Sequence, residues 1–331
     1  MRIYIMPKNF DFTDMVRLIS PARLASYNSA FCVSDKAELF GLYSWNLELS
    51  GALNSLLQLV EVALRNTINE AGKNCIVASQ NQHWFEAVPF NLIENENAEP
   101  LADGSYPMIK AAQVKDFESG LAKAKKSAQK LLKKKLGEDT AAVATLDQII
   151  SQTDFSVWEY ILDKSFYDGD ATKGFLWPKG FLTAFKKLPN VTGKNKQFQQ
   201  RDIIRRRIET IRMLRNRVAH NEPIWKDADI NDMAEIVSSL EKKINDIVEL
   251  TYWISPSLNL FIRNSALMFR LKMLIGEFEI KNATYQNENI HIPDMAALHA
   301  VLQECEDSNR RLVITSETKC GVIYHKKHRF N

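Results

Sequence analysis

Between Ser44 and Ala71, the residues Leu49, Leu53, Leu56, Leu57, Val60, Leu64 and Ile68 recur at intervals of three and four. That spacing places them on one side of an α-helix, whereas a strand would require strict alternation. A helix of this length with one apolar side needs other helices to cover it, so the stretch commits the chain to helical packing. Gly72, directly after Ala71, is the expected stop. The rest of the composition agrees: 12 glycines and 10 prolines in 331 residues are too few for a turn-rich, all-β architecture. The length suits one large domain or two smaller ones, and 45% apolar with 25% charged residues is the balance of an ordinary folded protein.

Helical periodicity continues along most of the chain. One or two short helices are expected over 10–31, with Pro21 opening one after Ser20. AVPFNLIENENAEPLADGSYP, with three prolines and many polar residues, reads as a loop. Helices resume over about 110–136, 141–150 and 154–166, then a short one within FLWPKGFLTAFKKLPN. Long helices follow over Asn195–Ala219, 227–254 and 257–275. Beyond 277, EFEIKNATYQNENIHI and RLVITSETKCGVIYH carry β-branched runs and turn residues, with a helix over 293–308 between them. That pattern predicts a small α+β module.

The opening MRIYIMPKNFDF has neither an extended apolar region nor a small-residue cleavage site, so no signal peptide is expected. No uninterrupted apolar run approaches the ~20 residues that span a bilayer, and the expectation is a cytoplasmic chain without membrane partners. Cys32, Cys75, Cys305 and Cys320 are scattered and form no CxxC pair, which predicts reduced thiols. Cys320 with His325 and His328 could be drawn as part of a zinc site, but no fourth ligand is nearby, and exposed tail residues are the favoured reading.

Net charge is only +3, yet the charges are unevenly placed. Seven lysines and no acid lie between Lys123 and Lys135, and eleven Lys or Arg against Asp202 and Glu209 lie between Lys186 and Arg217. Local excess of this kind suits phosphate binding, although a Lys-rich stretch can equally be a solvated helix face.

The second basic segment runs into LRNRVAHNEPIW, residues 214–225. On a helical wheel Ile204, Ile208, Ile211, Leu214 and Val218 form a buried stripe, and Arg205, Glu209, Arg212, Asn216 and His220 gather opposite. Asn216 and His220 are neighbours at i, i+4, and Arg215 sits at the boundary, where its long arm could swing toward the histidine. Two readings stay open at this point. The cluster is an exposed reactive group, or His220 is simply a C-terminal residue favoured by the helix dipole before Pro223 ends the helix. Glu61 and Arg65, also i, i+4, have a plain intrahelical ion pair as their simplest explanation. Trp158, Trp177 and Trp225 could stack on bases, but packing is the favoured role.

LRNRVAHNEPIW resembles the R-x4-H signature of HEPN-domain ribonucleases, in the form seen in Abi-like (abortive infection) bacterial proteins. LFGLYSWNLELSGALNSLLQLVEVALRNTINEAG is similar to the family's first long helix, with Glu61, Arg65 and Asn66 in a Glu-x3-Arg-Asn pattern. DFSVWEYILDKSFYDGDATKGFLWPKGFLTAF is similar to its middle block. The resemblance covers about residues 17–250. It implies a mainly α fold: a HEPN-like helical bundle over 1–255, with an inserted loop and basic helix at about 87–136, followed by the α+β module over 256–331.

The resemblance also implies a metal-independent endoribonuclease without cofactor, acting in phage defence or as a toxin. In such an enzyme the RNA's own 2′-hydroxyl attacks the adjacent phosphate, an intramolecular step whose barrier falls with correct alignment. His220 would move protons, since an ordinary imidazole titrates near ~6.5. Arg215 would stabilise the phosphorane charge, and Asn216 would orient the imidazole or the RNA. Glu61, Arg65, Asn66 and Asn221 are expected as supporting groups, and Arg205, Arg212 and Arg217 as phosphate contacts. The chain has one such motif, because Arg65 is followed by Glu70 where a histidine would be needed. The expected partners are therefore RNA, a second copy of the chain completing a composite site, and an antitoxin or regulatory RNA. The alternative is a non-catalytic RNA-binding or partner-binding helical scaffold.

Overall fold

A computed structural model of the chain describes residues 11–33, 35–227, 232–316 and 319–325. The sequence's opening residues 1–10 and the final residues 326–331, including His328, lie outside the described residues.

Among the described residues the chain is mainly helical, with a small sheet near its C-terminus. The elements run α1 (Thr13–Ile19), α2 (Pro21–Phe31), α3 (Lys36–Cys75), α4 (Trp84–Ala87), β1 (Ile93–Glu94), β2 (Met108–Ile109), α5 (Ala112–Leu136), α6 (Leu146–Ser151), α7 (Phe155–Tyr160) and α8 (Phe181–Ala184). They continue with α9 (Lys196–Ala219), α10 (Met233–Ile254), α11 (Pro256–Arg263), α12 (Ala266–Leu274), α13 (Glu277–Ala283), β3 (Ile290–His291), α14 (Met295–Ser308), β4 (Arg311–Ser316) and β5 (Lys319–Tyr324). Short 3-10 turns occupy Lys164–Phe166 and Ala171–Lys173.

The chain forms two compact units, the first from Met1–Leu57, Leu214–Val248 and Leu260–Asn331, the second from Gln58–Met213 and Glu249–Asn259. These units cut across chain order, because α3, α9 and α10 each supply residues to both. The apolar stripe of α3 is buried along its whole length, with Leu49, Leu53, Leu56, Leu57, Val60, Leu64 and Ile68 all at 2% exposure or less. Each such side chain contributes roughly 1.5–3 kcal/mol by leaving water. By length and composition α3 is also apolar enough to cross a membrane, although charged residues interrupt every long apolar run.

Gly72 does not end α3. A Cβ there would lie 2.2 Å from the Trp84 ring, so the glycine lets that indole lie against the helix, and α3 runs on to Cys75. The indole is buried and donates to Asn69 Oδ1 at 2.8 Å.

Within the first unit, Trp225 packs edge-on against Tyr27 at 5.1 Å and Phe31 at 5.0 Å, and Trp45 donates to the Leu274 carbonyl at 2.8 Å. Burial pushes the Tyr27 phenol well above its ordinary range, with Tyr43 adding to the effect. The C-terminal sheet has order β3-β4-β5, with β3 parallel to β4 and β5 antiparallel to it. α14 connects β3 to β4 and buries Val301 and Cys305 against Leu312. Arg311 on β4 ties the module to the rest of this unit through Glu48 at 3.2 Å and the buried Glu279. Two expectations for this region need correction. EFEIKNA is the helix α13 rather than a strand, because Glu279 and Ile280 point inward together while the acids of the first turn favour the helix N-terminus. The helix expected over 257–275 is two, since Ser265 accepts from Met268 N and starts α12 afresh.

Within the second unit, α5 packs on α6 and α7 through Val114, Phe117, Leu121, Ala124 and Ala128. Its lysines lie on the outer side, where Lys125 reaches Glu86 at 2.8 Å. Trp158 and Trp177 are fully buried and donate to Thr153 Oγ1 and the Ile161 carbonyl, so both are packing residues, as is Trp225 at 1% exposure.

Candidate functional site

α9 ends at a tightly specified stop. Asn221 takes the left-handed conformation at φ 51, which an asparagine tolerates better than most residues. The Asn221 N–H then donates to the Val218 carbonyl at 3.1 Å and the Glu222 N–H to the Arg217 carbonyl at 2.9 Å. Those two bonds define a Schellman ending with Asn221 just past the cap, and the cap position is His220. Such an ending usually carries an apolar contact between its third-last helical residue and the residue after the left-handed one. Here an ion pair replaces it, Arg217 Nε to Glu222 Oε2 at 3.7 Å.

The carbonyls that follow the helix end are met by two arginines, one on α2 and one on α9 itself. Arg23 on α2 donates through Nη1 to the Asn221 carbonyl at 2.8 Å and, more distantly, to that of His220 at 3.5 Å. Arg217 Nη2 donates to the carbonyls of Pro223 at 2.5 Å and Lys226 at 2.6 Å. Downstream, Ile224 and Trp225 are buried, and the Ile224 N–H donates to the buried Asn46 Oδ1 at 3.2 Å. Asp227 holds Lys243 at 2.6 Å and also binds Ser239 and Arg217. Burial raises the Asp227 carboxyl, but Lys243, Ser239 and Arg217 outweigh it and hold the group below the usual carboxylate range. The turn is therefore pinned on both sides of His220.

Two side chains at this helix end are less engaged than its backbone. His220 is exposed and Asn216 half-buried, and neither side chain makes a hydrogen bond or ion pair with any described residue, including each other. Arg215 is half-buried one residue before Asn216.

Farther up α9 the stripe expected to be exposed and basic has a different environment. Glu159 on α7 is 4% exposed and receives Arg212 Nε at 2.5 Å and Arg205 Nη1 at 3.5 Å. Arg205 also contacts Glu209 at 3.2 Å. Burial pushes the Glu159 carboxyl up, against the pull of Arg212. Arg205 and Arg212 are half-buried in this network, and Arg217 is held by the turn, so all three expected phosphate contacts have structural partners.

Arg215, Asn216, His220 and Asn221 belong to the first unit, and Glu61, Arg65 and Asn66 to the second. Arg65 Nη1 points to the Ser151 carbonyl at 3.5 Å, and Asn66 is exposed. Arg23, Asn46 and Glu159 were not foreseen, and no local pattern marks them, since each acts on a segment at least 46 residues away. All four cysteines are free thiols; Cys320 is exposed, and His325 lies edge-on to Phe269 at 5.5 Å. Among the described residues no group of three His, Cys, Asp or Glu is disposed to hold a metal ion. No protein-family model, curated protein or solved structure matches the chain.

Proposed function

We propose that the chain is a metal-independent endoribonuclease of the HEPN type, acting in phage defence (abortive infection) or as a toxin, with the turn at Arg215–His220 as its active site. One observation carries the reading: the backbone of the turn is fixed by Arg23, Arg217 and Asn46, while the side chains of His220 and Asn216 make no hydrogen bond or ion pair with a described residue. A preorganised support under an uncommitted imidazole is the arrangement proton transfer needs.

In the proposed reaction the 2′-oxygen attacks the adjacent phosphorus and its proton passes to an imidazole. The bond from phosphorus to the 5′-oxygen breaks, and that oxygen takes up a proton. The products are a 2′,3′-cyclic phosphate and a 5′-hydroxyl. Arg215 stabilises the charge on the phosphorane, and Asn216 orients the imidazole or the RNA. One histidine supplies one of the two proton transfers, so the proposal includes a homodimer in which a second copy's turn completes the site. An antitoxin or regulatory RNA would restrain the activity.

A second reading, a non-catalytic RNA-binding or partner-binding scaffold, is favoured by the Schellman ending itself, which gives His220 an ordinary capping position. Incubation with mixed cellular RNA in excess EDTA separates the two. Metal-free cuts ending in 2′,3′-cyclic phosphates support the enzyme, and bound but intact RNA favours the scaffold. Light scattering tests the composite site, which a monomer at assay concentration would contradict.

A further inference from the structure

A cleft of about 1290 Å³ opens in the second unit, at the N-terminal end of α9. Lys179, Lys186, Lys187, Lys194 and Lys196 line it, and its lining contains no Asp or Glu. All five lysines are exposed, and none forms an ion pair with a described residue. Five ammonium groups around one concavity repel each other unless an anion is present, so the charge pattern selects a polyanionic ligand. The first turn of α9 adds to this, because the backbone N–H groups of Lys196, Gln197 and Phe198 precede the first intrahelical bond, from Gln199 N to the Asn195 carbonyl.

Two further features narrow the ligand. The cleft is larger than the roughly 300–1,000 Å³ that encloses a small molecule. It also carries an aromatic platform: Phe198 is 39% exposed, held edge-on by Tyr167 at 5.4 Å and covered by the buried Arg201 guanidinium at 4.5 Å. Lysines offer point charges without a fixed fork, which reads a backbone and not a sequence, and an aromatic ring accepts any base.

We propose that this cleft binds the backbone of single-stranded RNA, with Phe198 stacking on a base, and so supplies affinity through residues other than those of the His220 turn. The choice of RNA over another polyanion rests on the ribonuclease reading above. By comparison, the lysines of α5 line no cleft of this kind and are not assigned to the ligand.

The test is fluorescence anisotropy of a labelled oligouridylate with the full-length chain across a salt series. Replacing Lys186, Lys187, Lys194 and Lys196 together by alanine should weaken binding at least about tenfold and reduce the slope of log affinity against log salt by roughly 3, at about 0.7 per lost contact on a single strand. Phe198→Ala should weaken it about fivefold or more. Replacing Lys123, Lys126, Lys130 and Lys134 on α5 should leave affinity unchanged. Wild-type affinity and slope in the cleft variant would overturn the proposal, as would no RNA binding by the wild-type chain. Polyglutamate displacing RNA at equal charge concentration would also overturn it, in favour of an acidic protein partner. Binding that depends on the cleft, in a chain that never cuts RNA, would sink the ribonuclease reading and leave this one standing.

Discussion

The polar side of α9 has two regions that look alike on a helical wheel and differ in the folded chain. Around Arg205 and Arg212 the charges close on a carboxylate, Glu159, that is almost wholly removed from water. At Asn216 and His220 the backbone is held firmly, and these two side chains make no hydrogen bond or ion pair with a described residue. A buried ion pair is costly to form, and once formed it fixes its partners, so the first region is committed to structure. The second spends its hydrogen bonds on main-chain carbonyls and keeps its functional groups available. Alignment of polar residues on a helix therefore says little about which of them can do chemistry; the partner on the facing element decides.

Substitutions sharpen this contrast in order of size. Arg212→Ala leaves the Glu159 carboxylate with only the more distant Arg205, and should cost about 3 kcal/mol in urea unfolding. If it were neutral there, Arg212 would be available as a ligand after all. Arg217→Ala removes the donor to two carbonyls of the turn and should cost about 2 kcal/mol. Asn221→Ala places an ordinary side chain at φ 51 and should cost about 1 kcal/mol, whereas Asn221→Gly should fold as stably as wild type. Equal losses for alanine and glycine would mean that the Asn221 side chain, rather than its backbone conformation, matters.

The smallest expected effect is a difference in pH response. Glu159 titrates higher in the folded chain than in the unfolded one, so the native state binds more protons between the two values and stability falls as pH rises through that window. Asp227 titrates lower in the folded chain, so its contribution is present above the ordinary carboxylate range and is lost as pH falls through the depressed value. Removing each carboxylate by the amide, Glu159→Gln and Asp227→Asn, should change the slope of stability against pH in opposite directions over the acid range.

Much of this frame is legible in the sequence where a local rule governs it. The α3 stripe follows from 3.6-residue periodicity, the start of α2 from Ser20-Pro21, and the stop of α9 from Pro223. Where a distant residue decides, local reading fails. Gly72 looks like a terminator because nothing nearby announces Trp84 lying against it. Arg205 and Arg212 look like free cations because Glu159 is 46 and 53 residues away. EFEI looks extended because inward-facing Glu279 meets Arg311 only through the tertiary fold. The i, i+4 spacing of Asn216 and His220 is legible in the sequence; the support of their turn by Arg23 and Asn46 is not.

The claim that His220 is chemical rather than structural is tested most directly by measuring single-turnover RNA cleavage and thermal melting on one preparation of His220→Ala beside wild type. The account predicts a rate lower by about a hundredfold or more, with melting unchanged within a few degrees, because the turn is held by Arg23, Arg217 and the left-handed Asn221. An unchanged rate, or a loss of rate that only follows a large fall in melting temperature, would contradict it.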